Sequence, residues 1–101
     1  MPKEKIGADE RPSKVHKRSP RYLEEVVSLG LRIRTIRQSM NLTLEQAAEA
    51  CDLDLRHFQK IEAGTLNIEL VTLVRLSVGL RQPIAVFFGG MARRDRVPRR
   101  R

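Results

Sequence analysis

The sequence predicts an all-α fold: a compact five-helix domain over residues 20–90, carried between flexible basic arms at 1–19 and 91–101. Three observations predict it. Apolar residues recur at steps of three and four rather than two, which is the helical period. Capping and stopping residues cut the chain into short lengths, each with its own apolar side. Charge is also divided unevenly: the formal net of +8 over 101 residues separates into +4 for residues 1–22, −1 for 23–90 and +5 for 91–101.

Ser19-Pro20 opens the first helix, with serine as N-cap and proline at the first helical position, and Glu24 and Glu25 follow early enough to favour the positive end of the dipole. Its apolar side is Val26, Leu29, Ile33, Ile36 and Met40, and it ends near Asn41, a residue that tolerates the left-handed conformation. Gly30 weakens this helix, so its stable part is expected to begin near Ser28. Thr43 opens the second helix, where Gln46 three positions on completes a capping-box pattern. Ala47, Ala48 and Cys51 keep its inner side small enough for another helix to approach closely.

Asp52-Leu53-Asp54 turns the chain, Leu53 filling the corner and Asp54 capping a third helix that stops at Gly64. Asn67 is expected to cap a fourth helix with an inner stripe of Leu70, Leu73, Leu76 or Ser77, and Leu80. Pro83 opens a short fifth helix through Phe88, and Gly89-Gly90 ends it.

Met1 to Ser19 is rich in Lys, Glu, Pro and Ser and poor in large apolar residues, so burial cannot offset the entropy of ordering it. The Arg93–Arg101 block is a run of like charge and is expected to be solvated. Such arms either aid solubility or bind polyanions. No apolar run approaches the roughly 20 residues of a membrane span, no charged-then-apolar leader precedes the domain, and the chain is expected to be cytoplasmic and associated with the nucleoid. The single cysteine, Cys51, cannot form an intramolecular disulfide and reads as a small buried thiol. No Cys/His/carboxylate spacing suggests a metal, His16 being expected in the flexible arm, and no cofactor is implied. Without paired carboxylates, a nucleophile–base set or a phosphate-cradling glycine loop, the chain does not read as an enzyme.

At 100° per residue, Phe58, Ile61 and Glu62 share one side of the third helix and Arg56, Gln59, Lys60 and Ala63 the other. The outer side is a hydrogen-bonding strip. Two short capped helices joined by a tight turn, within residues 43–64, have the layout of a helix-turn-helix, whose second helix enters the DNA major groove. There the guanine O6 and N7 acceptors suit Arg56 or Lys60, and the adenine edge suits Gln59. His57, at the edge of the strip, either approaches a phosphate or packs against its neighbours.

The strings Leu29-Gly30-x-Arg32-Ile33-Arg34-x-Ile36-Arg37, Leu42-Thr43-x-Glu45-x-Ala47-Ala48, Phe58-x-x-Ile61-Glu62-x-Gly64 and Asn67-x-x-Leu70-x-Thr72-Leu73 resemble, in order and spacing, the Cro and lambda-repressor-like helix-turn-helix family, also called the xenobiotic-response-element family. The resemblance covers some 60 of 101 residues. It implies a third helix in the major groove, usually in a homodimer on a two-fold-related operator. It also implies base-edge contacts by Leu55, Arg56, Gln59 and Lys60, phosphate contacts near Thr43, Leu44, Thr65 and Asn67, and an ion pair between Arg37 and Glu62. Arg37 and Glu62 could instead be independent surface charges. Two positions depart from the pattern: Leu44 stands where the family often has a phosphate-gripping Gln, leaving only the backbone amide, and Asp52 stands where Gly is common.

Val71, Val74 and Val78 beside the inner leucines, then Ile84, Val86, Phe87 and Phe88, make more apolar surface than so small a domain easily covers. A homodimer built on helices four and five is expected, the alternative being that these residues complete the monomer core. The favoured function is sequence-specific binding of double-stranded DNA by a bacterial or phage transcriptional regulator. The short build and the stretch from Asn67-Ile68 to Val86-Phe87-Phe88 are similar to restriction–modification controller proteins. An alternative from another class is an antitoxin-like module that binds a protein partner through helices four and five, with DNA binding secondary. A nonspecific nucleoid protein is a third.

Overall fold

The computed structural model describes residues 11–89, and these contain four α-helices and no strand. They are α1 (Pro20–Ser39), α2 (Leu44–Ala50), α3 (Leu55–Ala63) and α4 (Leu70–Leu80). The expected fifth helix, Ile84–Phe88, is a 3₁₀ turn rather than an α-helix. Five residues between Pro83 and the left-handed Gly89 leave no length for more than a tight turn. Residues 11–19, expected to lack structure, carry a further 3₁₀ turn at Pro12–Lys14 and a turn before α1, both exposed. The arm residues 1–10 and the arginine block at 91–101 lie outside the described residues.

The local signals account for most boundaries. In α2 the Gln46 amide donates to Thr43 Oγ1 at 3.1 Å and the Thr43 amide donates to Gln46 Oε1 at 2.9 Å, a complete capping box. Asp54 caps α3 by accepting from the His57 amide at 2.9 Å. Asn41 and Asp52 take positive φ, 59° and 56°, at the two corners flanking α2. Gly64 ends α3 at φ 72°, where a Cβ would meet Val27 Cα at 2.9 Å.

Other expectations for the ends and faces are corrected. Glu69, not Asn67, is the N-cap residue of α4, and no side chain closes that end. Leu70 is 69% exposed; the inner side of α4 is Thr72, Leu76 and Leu80, with Leu73 half-buried. Leu70 lies about 120° around the helix from Leu76, too far to share its side.

The core joins Leu29 and Ile33 of α1, Ala47, Ala48 and Cys51 around α2, Leu53 at the corner, Phe58 and Ile61 of α3, Leu76 and Leu80 of α4, and Phe87. α1 packs on α3 and on the last 3₁₀ turn, and α2 packs on α3 and α4. Gly30 is central to the first of these. The helix runs through it unbroken from Pro20, and a Cβ there would meet the carbonyl oxygens of Ile61 and Glu62 at 2.5 and 2.7 Å. The position that weakens α1 by propensity is the one that lets the end of α3 lie against it. Gly30→Ala should therefore destabilise the fold by about 1–3 kcal/mol through overpacking, although alanine is the better helix former. Urea unfolding of the two proteins checks this, a lower midpoint being the expected result.

Cys51 is buried beside α2, and burial pushes its thiol up to about 11. Because the folded value lies above the ordinary 9.0, the unfolded chain loses the proton first, and the thiol's contribution to stability declines as pH rises from about 9 to about 11. At pH 8 a disulfide reagent should label Cys51 slowly in native protein and rapidly in urea, the native rate following the unfolding equilibrium.

Candidate nucleic-acid interface

The candidate site begins with how α3 is held. Phe58 and Ile61 are fully buried, which fixes the rotation of the helix about its axis. Glu62, on the same side, has a side chain 3% exposed and receives Arg37 of α1 in a two-pronged contact, Nε to Oε2 at 2.7 Å and Nη2 to Oε1 at 3.1 Å. The remaining Arg37 nitrogen, Nη1, donates to the Leu42 carbonyl at 3.0 Å. One guanidinium thus ties the end of α1, the corner before α2 and the end of α3 together. Hydrogen bonding to Glu62 raises the Arg37 pKa; burial works against it, and charge attraction adds to it. The arginine stays charged at any pH at which the folded protein is handled. Of the two readings of Arg37 and Glu62, the pair is the one formed. Arg34, one turn earlier on α1 and half-exposed, adds a looser contact at 3.6 Å.

With that side fixed inward, Arg56, Gln59, Lys60 and Ala63 are exposed together, and Leu55 is half-buried at the start of the helix. The four span an arc of about 100°. The Arg56, Gln59 and Lys60 side chains have no hydrogen-bond or ion-pair partner among the described residues, so their donors are free. His57 lies about 60° beyond Lys60 and is half-buried.

The residues expected to touch phosphate are less alike. Thr43 and Thr65 are exposed at the start of α2 and just after α3. Thr43 Oγ1 is occupied in the capping box, and Thr65 Oγ1 donates to the Lys60 carbonyl at 3.3 Å. Leu44 packs its side chain against the core and can offer only its amide. Asn67 is exposed, and its Oδ1 accepts from the Tyr22 hydroxyl at 3.3 Å.

Two contacts go beyond the sequence expectations, the Tyr22 bond to Asn67 and the approach of Arg34 to Glu62. For Tyr22 a signal existed: Tyr22, Val26, Leu29 and Ile33 continue the apolar spacing of α1 one turn earlier. For Arg34 the i, i+3 relation to Arg37 places both on one side of α1.

The residues expected at a dimer surface divide. Val71, Val74, Val78 and Phe88 are exposed, Val78 at 73%, and Ile84 is half-buried. Phe87 is instead fully buried in the monomer core, where it meets α1 and α4. Consecutive Phe87 and Phe88 lie about 120° apart in the 3₁₀ turn, and only the second faces out. Among the described residues no group of three or more His, Cys, Asp or Glu is placed to hold a metal ion, and no helix is long and apolar enough to cross a membrane.

No protein-family model matches the chain, and no curated protein matches it. Among solved structures it is similar to the restriction-modification controller protein C.AhdI from Aeromonas hydrophila, with a TM-score of 0.63 and 28% identity over 64% of this chain and 98% of that one. The chain is therefore similar to the Cro and lambda-repressor-like helix-turn-helix kind in structure as well as in sequence motif.

Proposed function

We propose that the protein is a transcriptional regulator that binds double-stranded DNA sequence-specifically, with α3 in the major groove. The observation that carries this reading is the exposed strip of unpartnered hydrogen-bonding side chains, Arg56, Gln59 and Lys60, on a helix whose opposite side is locked by Phe58, Ile61 and the Arg37–Glu62 pair. The likeness to a restriction-modification controller protein supports it. Arg56 addresses a guanine edge, Lys60 a second acceptor along the groove, Gln59 an adenine, and Leu55 offers an apolar contact. Thr43, the Leu44 amide, Thr65 and Asn67 engage the backbone on either side. Between basic arms the helical domain carries little net charge, so long-range attraction to DNA belongs to the arms and specificity to the strip. Such a protein works in the cytoplasm, on the nucleoid.

The chain acts as a homodimer through the exposed apolar row of α4, Val71, Val74 and Val78, with Ile84 and Phe88 at its end. A two-fold pair sets two reading helices about 34 Å apart, one DNA turn. Val78→Glu should shift sedimentation from dimer to monomer at micromolar concentration and weaken operator binding; a wild-type monomer at high micromolar concentration would refute the dimer.

The experiment that tests the function is selection of bound duplexes from a random library at two salt concentrations. A two-fold-related motif should emerge at both, with lower affinity at the higher salt. Recovery of the starting sequence distribution would replace this reading with nonspecific binding.

A further inference from the structure

An open cleft of about 580 Å³ lies between the amino-terminal end of α1 and the segment joining α3 to α4. Lys17 and Tyr22 line it from one side, and His57, Thr65, Asn67 and Glu69 from the other. His57 lies next to Lys60 around α3, and Thr65, just after the helix, donates to the Lys60 carbonyl, so the cleft adjoins the Lys60 side of the strip. We infer that Lys17 joins Asn67 in this cleft as a second donor to a phosphate of the DNA backbone, and that Tyr22 is the positioning residue that orients the Asn67 amide. The inference rests on the DNA-binding reading above.

Two features show a prepared site. The first is the turn that carries Lys17. Ser19 closes it, its amide and Oγ donating to the His16 carbonyl at 3.0 and 2.8 Å, while the Arg18 amide donates to His16 Nδ1 at 3.2 Å. Lys17 is therefore presented from a hydrogen-bonded corner directly before α1. The second is the Tyr22 contact. A phosphodiester only accepts hydrogen bonds, so an asparagine serves it with the nitrogen end of its amide and repels it with the oxygen end. The Tyr22 hydroxyl donates to Asn67 Oδ1. That bond orients the amide with its oxygen toward Tyr22, so that the Nδ2 hydrogens are the end left to donate. Glu69 opposes the site by charge; its side chain makes no capping bond to α4, so neutralising it removes only its attraction to the dipole of that helix.

The test uses the full chain on a mixed-sequence duplex and on one selected for tight binding. Tyr22→Phe, Lys17→Gln and Asn67→Ala should each lower affinity about 3–10-fold on both duplexes, without changing base preference. Glu69→Gln should raise it on both. Lys17→Gln should reduce the slope of log affinity against log salt by about 0.9, the value for one phosphate that the protein no longer neutralises. Tyr22→Phe should cost nothing further in the Asn67→Ala background, and its thermal midpoint should match wild type.

Unchanged affinity and salt slope in the three weakening variants, with Arg56→Ala still altering base preference, would overturn the cleft and leave the reading helix standing. A Tyr22→Phe loss that persists without Asn67 would overturn the positioning role. Binding of inorganic phosphate that Lys17→Gln and Asn67→Ala abolish, with duplex affinity unchanged in both variants, would assign the cleft to a free anion instead of a DNA strand. Absence of duplex binding by the wild-type chain is a separate failure, that of the DNA-binding reading itself.

Discussion

Arg56→Ala is expected to lower discrimination at one base pair of each half-site by about 1–3 kcal/mol, roughly 5- to 150-fold, while binding to unrelated DNA changes little. The reason is geometric. Arg56 is exposed in the first turn of α3, its guanidinium has no partner among the described residues, and the helix behind it cannot rotate to substitute another side chain. A guanidinium spans O6 and N7 of one guanine, and alanine offers neither charge nor donor. Arg56→Lys keeps the charge but removes the fork, so it should retain nonspecific affinity and still relax preference. Competition assays with duplexes altered at single positions measure both. Uniform weakening across every duplex would instead make Arg56 a phosphate contact.

Arg37→Ala is expected to have the largest effect on stability, about 3–5 kcal/mol, because it leaves the buried Glu62 carboxylate without its principal partner. The Leu42 carbonyl loses its donor in the same step. A small domain has about 5–15 kcal/mol in total, so the variant should lose a large share of its stability and unfold at a clearly lower urea concentration. Arg34, half-exposed and farther away, cannot replace the two short contacts. Removing both charges in Arg37→Met/Glu62→Leu should recover part of the loss, since the isolated buried charge is what costs most. Urea midpoints of the two single variants and the double variant give the coupling. Additive losses would show that the two residues stabilise the fold independently.

Both predictions meet in α3. Its polar side is useful only because its other side is fixed, and the Arg37–Glu62 pair fixes the end from which Lys60 and Ala63 project. Arg37→Ala should therefore also blur base preference before it abolishes folding, whereas Arg56→Ala should leave the urea midpoint near wild type.

The parts of this arrangement that depend on near neighbours were legible in the sequence. Thr43 with Gln46, Asp54 with the amide three residues on, and Gly64 after Ala63 are local chemistry, and each is present in the fold. The polar and apolar sides of α3 followed from its period alone. What the sequence did not disclose depended on distant partners. Gly30 looks like a weak point until the Ile61 and Glu62 carbonyls are seen against it. Leu70 looks like core by period, but α4 starts at a point that turns Leu70 outward and Thr72 inward. Phe87 and Phe88 are indistinguishable as residues, and only the packing of their turn against α1 and α4 separates the buried one from the exposed one. Asn67 reads as a helix cap and instead meets Tyr22, 45 residues away in sequence.

The most direct test of α3 as a groove reader is chemical protection of a selected duplex by the bound protein. Guanine N7 lies in the major groove and adenine N3 in the minor groove, so dimethyl sulfate reports on both at once. Wild-type protein should shield a guanine N7 in each half-site, and Arg56→Ala should leave the same N7 open to methylation while the complex still forms. Protection confined to adenine N3, or an N7 footprint unchanged by Arg56→Ala, would contradict the groove-reading role of this helix.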